Sequence, residues 1–138
     1  MDSIQDIVRN NATFVIFATQ PMAPETAMAY MAENEIPFKT LLGSYKGVPE
    51  LSFMVPAKFF DQVKDGGLVD SQESVLMLSH KHTAKGFRHG VLVYLQEDNR
   101  TEEVGVLTPV TKDIALKSEG YSFDPYAGQY FTLLDEAA

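Results

Sequence analysis

The stretch Gly43-Ser-Tyr-Lys-Gly-Val-Pro-Glu-Leu-Ser-Phe53 gathers polar groups able to do chemistry at a turn and at the entry to a strand. Two glycines around Tyr45 and Lys46 suit a tight turn. Strand alternation after it puts Glu50 and Ser52 on one face and Leu51 and Phe53 on the other. With helices over the Leu51 face, Glu50 looks toward whatever the opposite face holds. A half-buried carboxylate there serves as a base or pairs with a substrate cation, because desolvation strengthens both the attraction and the pKa shift. An ordinary hairpin carrying a solvated glutamate uses the same residues, and spacing alone favours that plainer use.

A second cluster, Ser79 to Gly90, holds all three histidines, His80, His82 and His89, together with Lys81, Lys85 and Arg88. It is a basic island in an acidic chain. In an extended segment His80 and His82 point the same way and offer two imidazoles to a divalent ion. No H-E-x-x-H or comparable ligand set accompanies them, so no metal is expected. Contact with an anion, a subunit contact and a solvated loop remain open for this segment, the last being the commonest use of such a loop. A third cluster, Tyr121-Ser-Phe-Asp-Pro-Tyr126 with Tyr130 and Phe131, has aromatics that could sandwich a purine, although packing is their commoner role. The chain has no cysteine nucleophile, Gly-x-Ser-x-Gly elbow, phosphate-binding glycine loop or dinucleotide fingerprint.

The elements that must position these residues follow from periodicity. Thr13 to Thr19 reads as a buried central strand closed by Gln20-Pro21, and Pro24 opens a helix that ends before Pro37. Phe38 to Leu42 and Leu51 to Val55 form a hairpin. Phe59, Phe60 and Val63 mark a short helix stopped by Gly66-Gly67, and Val75 to Leu78 is the next strand. This βαββαβ order predicts an α+β fold, a ferredoxin-like sheet with helices on one face, leaving the other face to be covered. Gly90 to Leu95 and Glu103 to Leu107 extend it as a second hairpin, and a last strand lies in Gln129 to Leu134. Without repeats or linkers, residues 1–138 are expected to form a single domain.

A chain of 138 residues with 45% hydrophobic content can bury a core without staples. Zero cysteines exclude disulfides and thiolate metal sites and suit a reducing, cytoplasmic compartment. Met1 to Asn11 has no signal-peptide core, and no apolar run approaches the roughly 20 residues of a membrane helix. The formal charge of -8 argues against nucleic-acid binding and favours a cationic small molecule.

The strand end Phe17-Ala-Thr-Gln20, the hairpin segment Gly43 to Val55, Gln72-Glu-Ser-Val-Leu76 and Gly128-Gln-Tyr-Phe-Thr-Leu-Leu-Asp-Glu136 together resemble a known group. It is that of the small phage enzymes that degrade S-adenosylmethionine (SAM), named SAM hydrolases and later SAM lyases. The resemblance implies a ferredoxin-like subunit assembled as a homotrimer, substrate held between neighbouring subunits, no cofactor and no metal. It also implies an essential strand-borne glutamate, which Glu50 fits best, with Tyr45 as second catalytic choice. Ser44 and Ser52, taken for their proximity, and Gln20 are the expected substrate contacts. The implied products are 5′-methylthioadenosine with homoserine lactone, or homoserine if water attacks, and the implied benefit to a virus is loss of host SAM-dependent methylation or restriction. A non-catalytic binder of an adenine-containing ligand and a protein-interaction inhibitor are the alternatives, since fold does not fix function.

Overall fold

The computed structural model describes residues 14–82, 88–98 and 100–134, without the side chains of 79–82 and 88. Its strands are β1 (Phe14–Ala18), β2 (Lys39–Tyr45), β3 (Val48–Pro56), β4 (Ser74–His82), β5 (Arg88–Tyr94), β6 (Arg100–Val110), β7 (Gly120–Asp124) and β8 (Gln129–Leu134). Helix α1 (Pro24–Glu33) follows β1, a 3-10 turn (Ala57–Phe59) and α2 (Phe60–Asp65) follow β3, and α3 (Lys112–Lys117) follows β6.

The strands close into an antiparallel barrel in the order β1-β3-β2-β7-β8-β6-β5-β4. The ferredoxin-like expectation is therefore wrong. Strands β4-β1-β3-β2 do lie side by side, but β5 to β8 close them into a ring, so the face expected to need an outside cover becomes the barrel's own interior. A closed barrel removes both sheet edges and buries one face of every strand against the others.

Alternation explains how the chain fills it. Ile16, Leu41, Met54, Leu78, Leu107 and Phe131, from six strands, pack together inside the barrel. On the outer face of β1 and β3, Val15, Phe17, Phe53 and Val55 pack with Ala27 and Met31 of α1 and Val63 of α2. Strand β1 is thus buried on both faces, the reason its sequence reads as an unbroken apolar run. Pro24 starts α1 at a position where a missing N–H costs nothing, and Tyr30 ties α1 to α2 by donating to the Gln62 carbonyl at 2.8 Å. A register shift beside Gly105, at φ +105, bends β6. A side chain there would meet the Leu134 carbonyl at 2.6 Å, so β6 and β8 need glycine to approach.

The β2–β7 seam joins the first four strands to the last four without help from a hairpin. Across it, Lys39 Nζ lies 2.7 Å from Asp124 Oδ2, both side chains fully buried. Asp124 Oδ1 also accepts from the backbone N–H groups of Tyr126 (3.0 Å) and Ala127 (3.2 Å), fixing the turn into β8. The Tyr126 ring caps the ammonium at 5.4 Å from its centroid. Breaking a buried ion pair from one side strands the other charge. Asp124→Ala is therefore expected to lower the unfolding free energy by about 3–5 kcal/mol. Urea melts followed by circular dichroism measure this, and a loss under about 1 kcal/mol, the worth of an exposed pair, would show that the seam closes without it.

Candidate active site

The β2–β3 hairpin turns through Lys46 (φ 50) and Gly47 (φ 81), both left-handed, the signature of a two-residue turn that matches strand twist. Its register sets Tyr45 opposite Val48, Gly43 opposite Glu50 and Leu41 opposite Ser52. Because Leu41 and Met54 point into the barrel, the same-parity residues Gly43, Glu50 and Ser52 belong to the inner wall. Phe53 and the partly buried Leu51 go to the helix-covered side, so the two-faced reading of this strand holds although the surrounding sheet is a barrel.

Glu50 is half-buried near the end of the barrel where β1 finishes and β3 begins. Its Oε1 lies 3.5 Å from the Ser52 hydroxyl, a long contact, and Ser52 is itself buried. Across the next ladder, Gly43 faces Ser122 of β7, and Tyr45 faces Gly120. Gly120 leaves room for the Tyr45 ring, since an added Cβ would sit 3.0 Å from its Cδ2. The ring is 56% exposed and lies 5.3 Å from Lys46 Nζ, which also reaches Glu119 at 3.6 Å.

Of the residues singled out in the sequence, Tyr45, Glu50 and Ser52 share one side of the hairpin. Ser44 does not join them, because it pairs with Pro49 and Tyr121 on the opposite, outer side. Gln20 is exposed just past β1, where its carbonyl accepts from Gln72 Nε2 at 2.9 Å. The side chains of His80 and His82 lie outside the described residues, and among the described residues no cluster of three metal-ligating side chains occurs. Most of the C-terminal aromatics pack on one another or in the core, while Tyr126 is 73% exposed. Phe131 is in the barrel core, while Phe123 and Tyr121 lie against Tyr130 with centroids 4.5 Å and 5.6 Å apart.

Another polar group on the inner-wall parity belongs to the β5–β6 hairpin, whose turn opens at the same end of the barrel. Tyr94 donates to Glu102 at 3.0 Å under the Arg100 guanidinium, 4.0 Å from its ring centre. The hydrogen bond to the Glu102 carboxylate, then burial, hold the Tyr94 phenol above its ordinary range, so it stays protonated and is no base at neutral pH. Sequence reasoning missed Ser122 and the Asp124 pair. The alternation Tyr121-Ser122-Phe123-Asp124 is the signal that marks β7 as a strand with two polar inward positions.

An acidic side chain half-withdrawn from water on the wall of a small barrel, beside the Ser52 hydroxyl and on the same side as an exposed tyrosine, has the acceptor chemistry that a small cation requires. The family model described as the S-adenosylmethionine lyase family matches residues 18–134, and the chain belongs to that family. It is an enzyme that acts on SAM. No curated protein and no solved structure matches the chain. No helix among the described residues is long and apolar enough to cross a membrane.

Proposed function

We propose that this lyase cleaves SAM by intramolecular attack, releasing 5′-methylthioadenosine and homoserine lactone, with Glu50 holding the amino-acid end of the substrate. The observation that carries the reading is the state of Glu50. Its carboxylate is half-buried on the barrel wall with only the long Ser52 contact among the described residues, leaving acceptor capacity for a substrate ammonium.

The reaction needs no external nucleophile. A carboxylate oxygen of the substrate bonds to its own Cγ, the Cγ–S bond breaks, and the electron pair neutralises the sulfonium to a thioether. No proton has to move in this step. Catalysis then consists of holding the methionine tail folded, and well-oriented intramolecular attack is worth roughly 7–11 kcal/mol. Glu50 fixes the ammonium by contact or through a water. The exposed face of Tyr45, which already carries a lysine ammonium, suits contact with the sulfonium. Ser52 orients Glu50 and lies beside the bound tail. The net charge of -8 draws a cationic substrate toward the protein.

The same reading includes a homotrimer with substrate enclosed between subunits. Its support is the family resemblance together with an uncovered hairpin: Val48 is 62% and Tyr45 56% exposed on the side of the half-buried Glu50, and Leu42 49% on the outer side. A neighbouring subunit would bury these apolar groups and complete the exclusion of water from the site. Resemblance to phage enzymes supports a role in depleting host SAM, against methylation or restriction.

Incubation with SAM, followed by chromatography, is expected to yield 5′-methylthioadenosine and homoserine lactone. Homoserine as the first product would replace ring closure by hydrolysis, with Glu50 as general base. Neither product would mean a non-catalytic binder. Glu50→Gln keeps the shape and deletes the charge, so turnover should drop at least about tenfold with an unchanged melting temperature. A variant that turns over SAM at the parental rate would remove Glu50 from the mechanism. Light scattering at micromolar concentration should give the trimer mass, and a monomer there would remove the shared site.

A further inference from the structure

Gly43 is the central residue of a three-strand row. It faces Glu50 across the β2–β3 ladder and Ser122 across the β2–β7 ladder, and all three positions share the inner-wall parity of Leu41 and Phe131. Adjacent strands stand about 4.8 Å apart, so the backbones of Glu50 and Ser122 lie about 10 Å apart with no side chain between them. An added Cβ at Gly43 would come 3.1 Å from the Tyr121 backbone carbonyl and 3.5 Å from that of Glu50, and the glycine in its place leaves a notch between the Glu50 and Ser122 positions.

Ser122 is half-buried, and its hydroxyl makes no hydrogen bond among the described residues. Some hydroxyls around this part of the barrel are engaged, while those of Ser44 on the outer side and of the exposed Tyr45 make no hydrogen bond among the described residues. Ser118 donates to the carbonyls of Ala115 and Gly120, Thr132 to the carbonyl of Gly120, and Thr108 to that of Val106. A half-buried hydroxyl without a protein partner, across a glycine from an acidic group with acceptor capacity, is placed to meet a ligand that carries both a donor and an acceptor.

We propose that Ser122 is the second anchor of the substrate's amino-acid group, donating to the α-carboxylate while Glu50 accepts from the α-ammonium. The inference rests on the SAM-cleaving reading above and assigns that site a residue from a third strand. Ammonium and carboxylate sit on one carbon, so a notch with an acceptor on one wall and a donor on the other holds both. Ser122 engages the oxygen that becomes the lactone carbonyl, which leaves the other oxygen to attack Cγ.

The test compares Ser122→Ala and Ser122→Thr with the parent and with Glu50→Gln. It measures SAM turnover and, by calorimetry, binding of the decarboxylated analogue of SAM, which keeps the amine and lacks the carboxylate. Ser122→Ala is expected to lower kcat/KM for SAM about tenfold or more, and Ser122→Thr to restore most of it. Decarboxylated SAM should bind Ser122→Ala as it binds the parent, whereas Glu50→Gln should bind it more weakly. Parental turnover in Ser122→Ala beside an impaired Glu50→Gln would overturn the role of Ser122 alone. Equal loss of the decarboxylated analogue in Ser122→Ala would also overturn it, since the contact would then not be to the carboxylate. A parent protein that does not degrade SAM would overturn both readings together.

Discussion

The Lys39–Asp124 pair is the fully buried charge contact at the seam that joins the first four strands of the barrel to the last four. Hairpins join β2 to β3, β4 to β5, β5 to β6 and β7 to β8, and chain continuity does much of the pairing there. The β2–β7 seam has no such help, because its strands are far apart in sequence. Its ladder runs from Leu42 and Phe123 to Tyr45 and Gly120, and the ion pair lies beyond one end while Lys46 N–H donates to the Glu119 carbonyl at 2.7 Å beyond the other. An unpaired charge in either Lys39 or Asp124 would cost several kcal/mol at that depth, so the pair penalises registers that bury one of them away from the other.

The candidate site inherits its geometry from the same seam. Glu50 stands on β3, the glycine beside it on β2 and Ser122 on β7, so the notch exists only when β2 is paired on both sides. Tyr45 meets Gly120 across the same ladder. A reaction that relies on folding a flexible substrate needs walls that do not move, and residues on paired strands hold position better than residues on loops. The barrel supplies this with little material. Its apolar interior, from Ile16 to Phe131, supports the strands from below, while α1 and α2 pack on the outer face of β1 and β3.

Most individual elements were legible in the sequence, and their arrangement was not. The run at Phe14–Ala18, the helix opened by Pro24, the β2–β3 hairpin and the last strand, Gln129–Leu134, all carry local signals. Closure carries none. The pairing of β2 with β7 brings Lys39 onto Asp124, and neither charge is marked locally as buried. Lys39 sits between Phe38 and Thr40 as a surface lysine would, and Asp124 precedes a proline in what reads as a turn. The site was read by the same logic. Alternation placed Glu50 and Ser52 together correctly, but choosing Ser44 by proximity ignored that a one-residue step crosses to the other face. Ser122 needed β7 to be recognised and paired.

Two carboxylates on the inner wall differ sharply in environment. Asp124 is fully buried, and a lysine ammonium and two backbone N–H groups occupy its oxygens. Those contacts offset a desolvation cost of several kcal/mol, and any substrate that took one of them would have to break the turn and the seam. Glu50 lies toward the opposite end, where β3 begins, with partial access to water and one long hydroxyl contact. No cation contacts it among the described residues, so a ligand's ammonium can be added without displacing a structural partner. In the proposed mechanism, the buried ion pair and the recognition of a cation therefore fall to different acids. A charge change at Glu50 removes no buried structural contact, whereas one at Asp124 strands the Lys39 ammonium and frees two turn N–H groups.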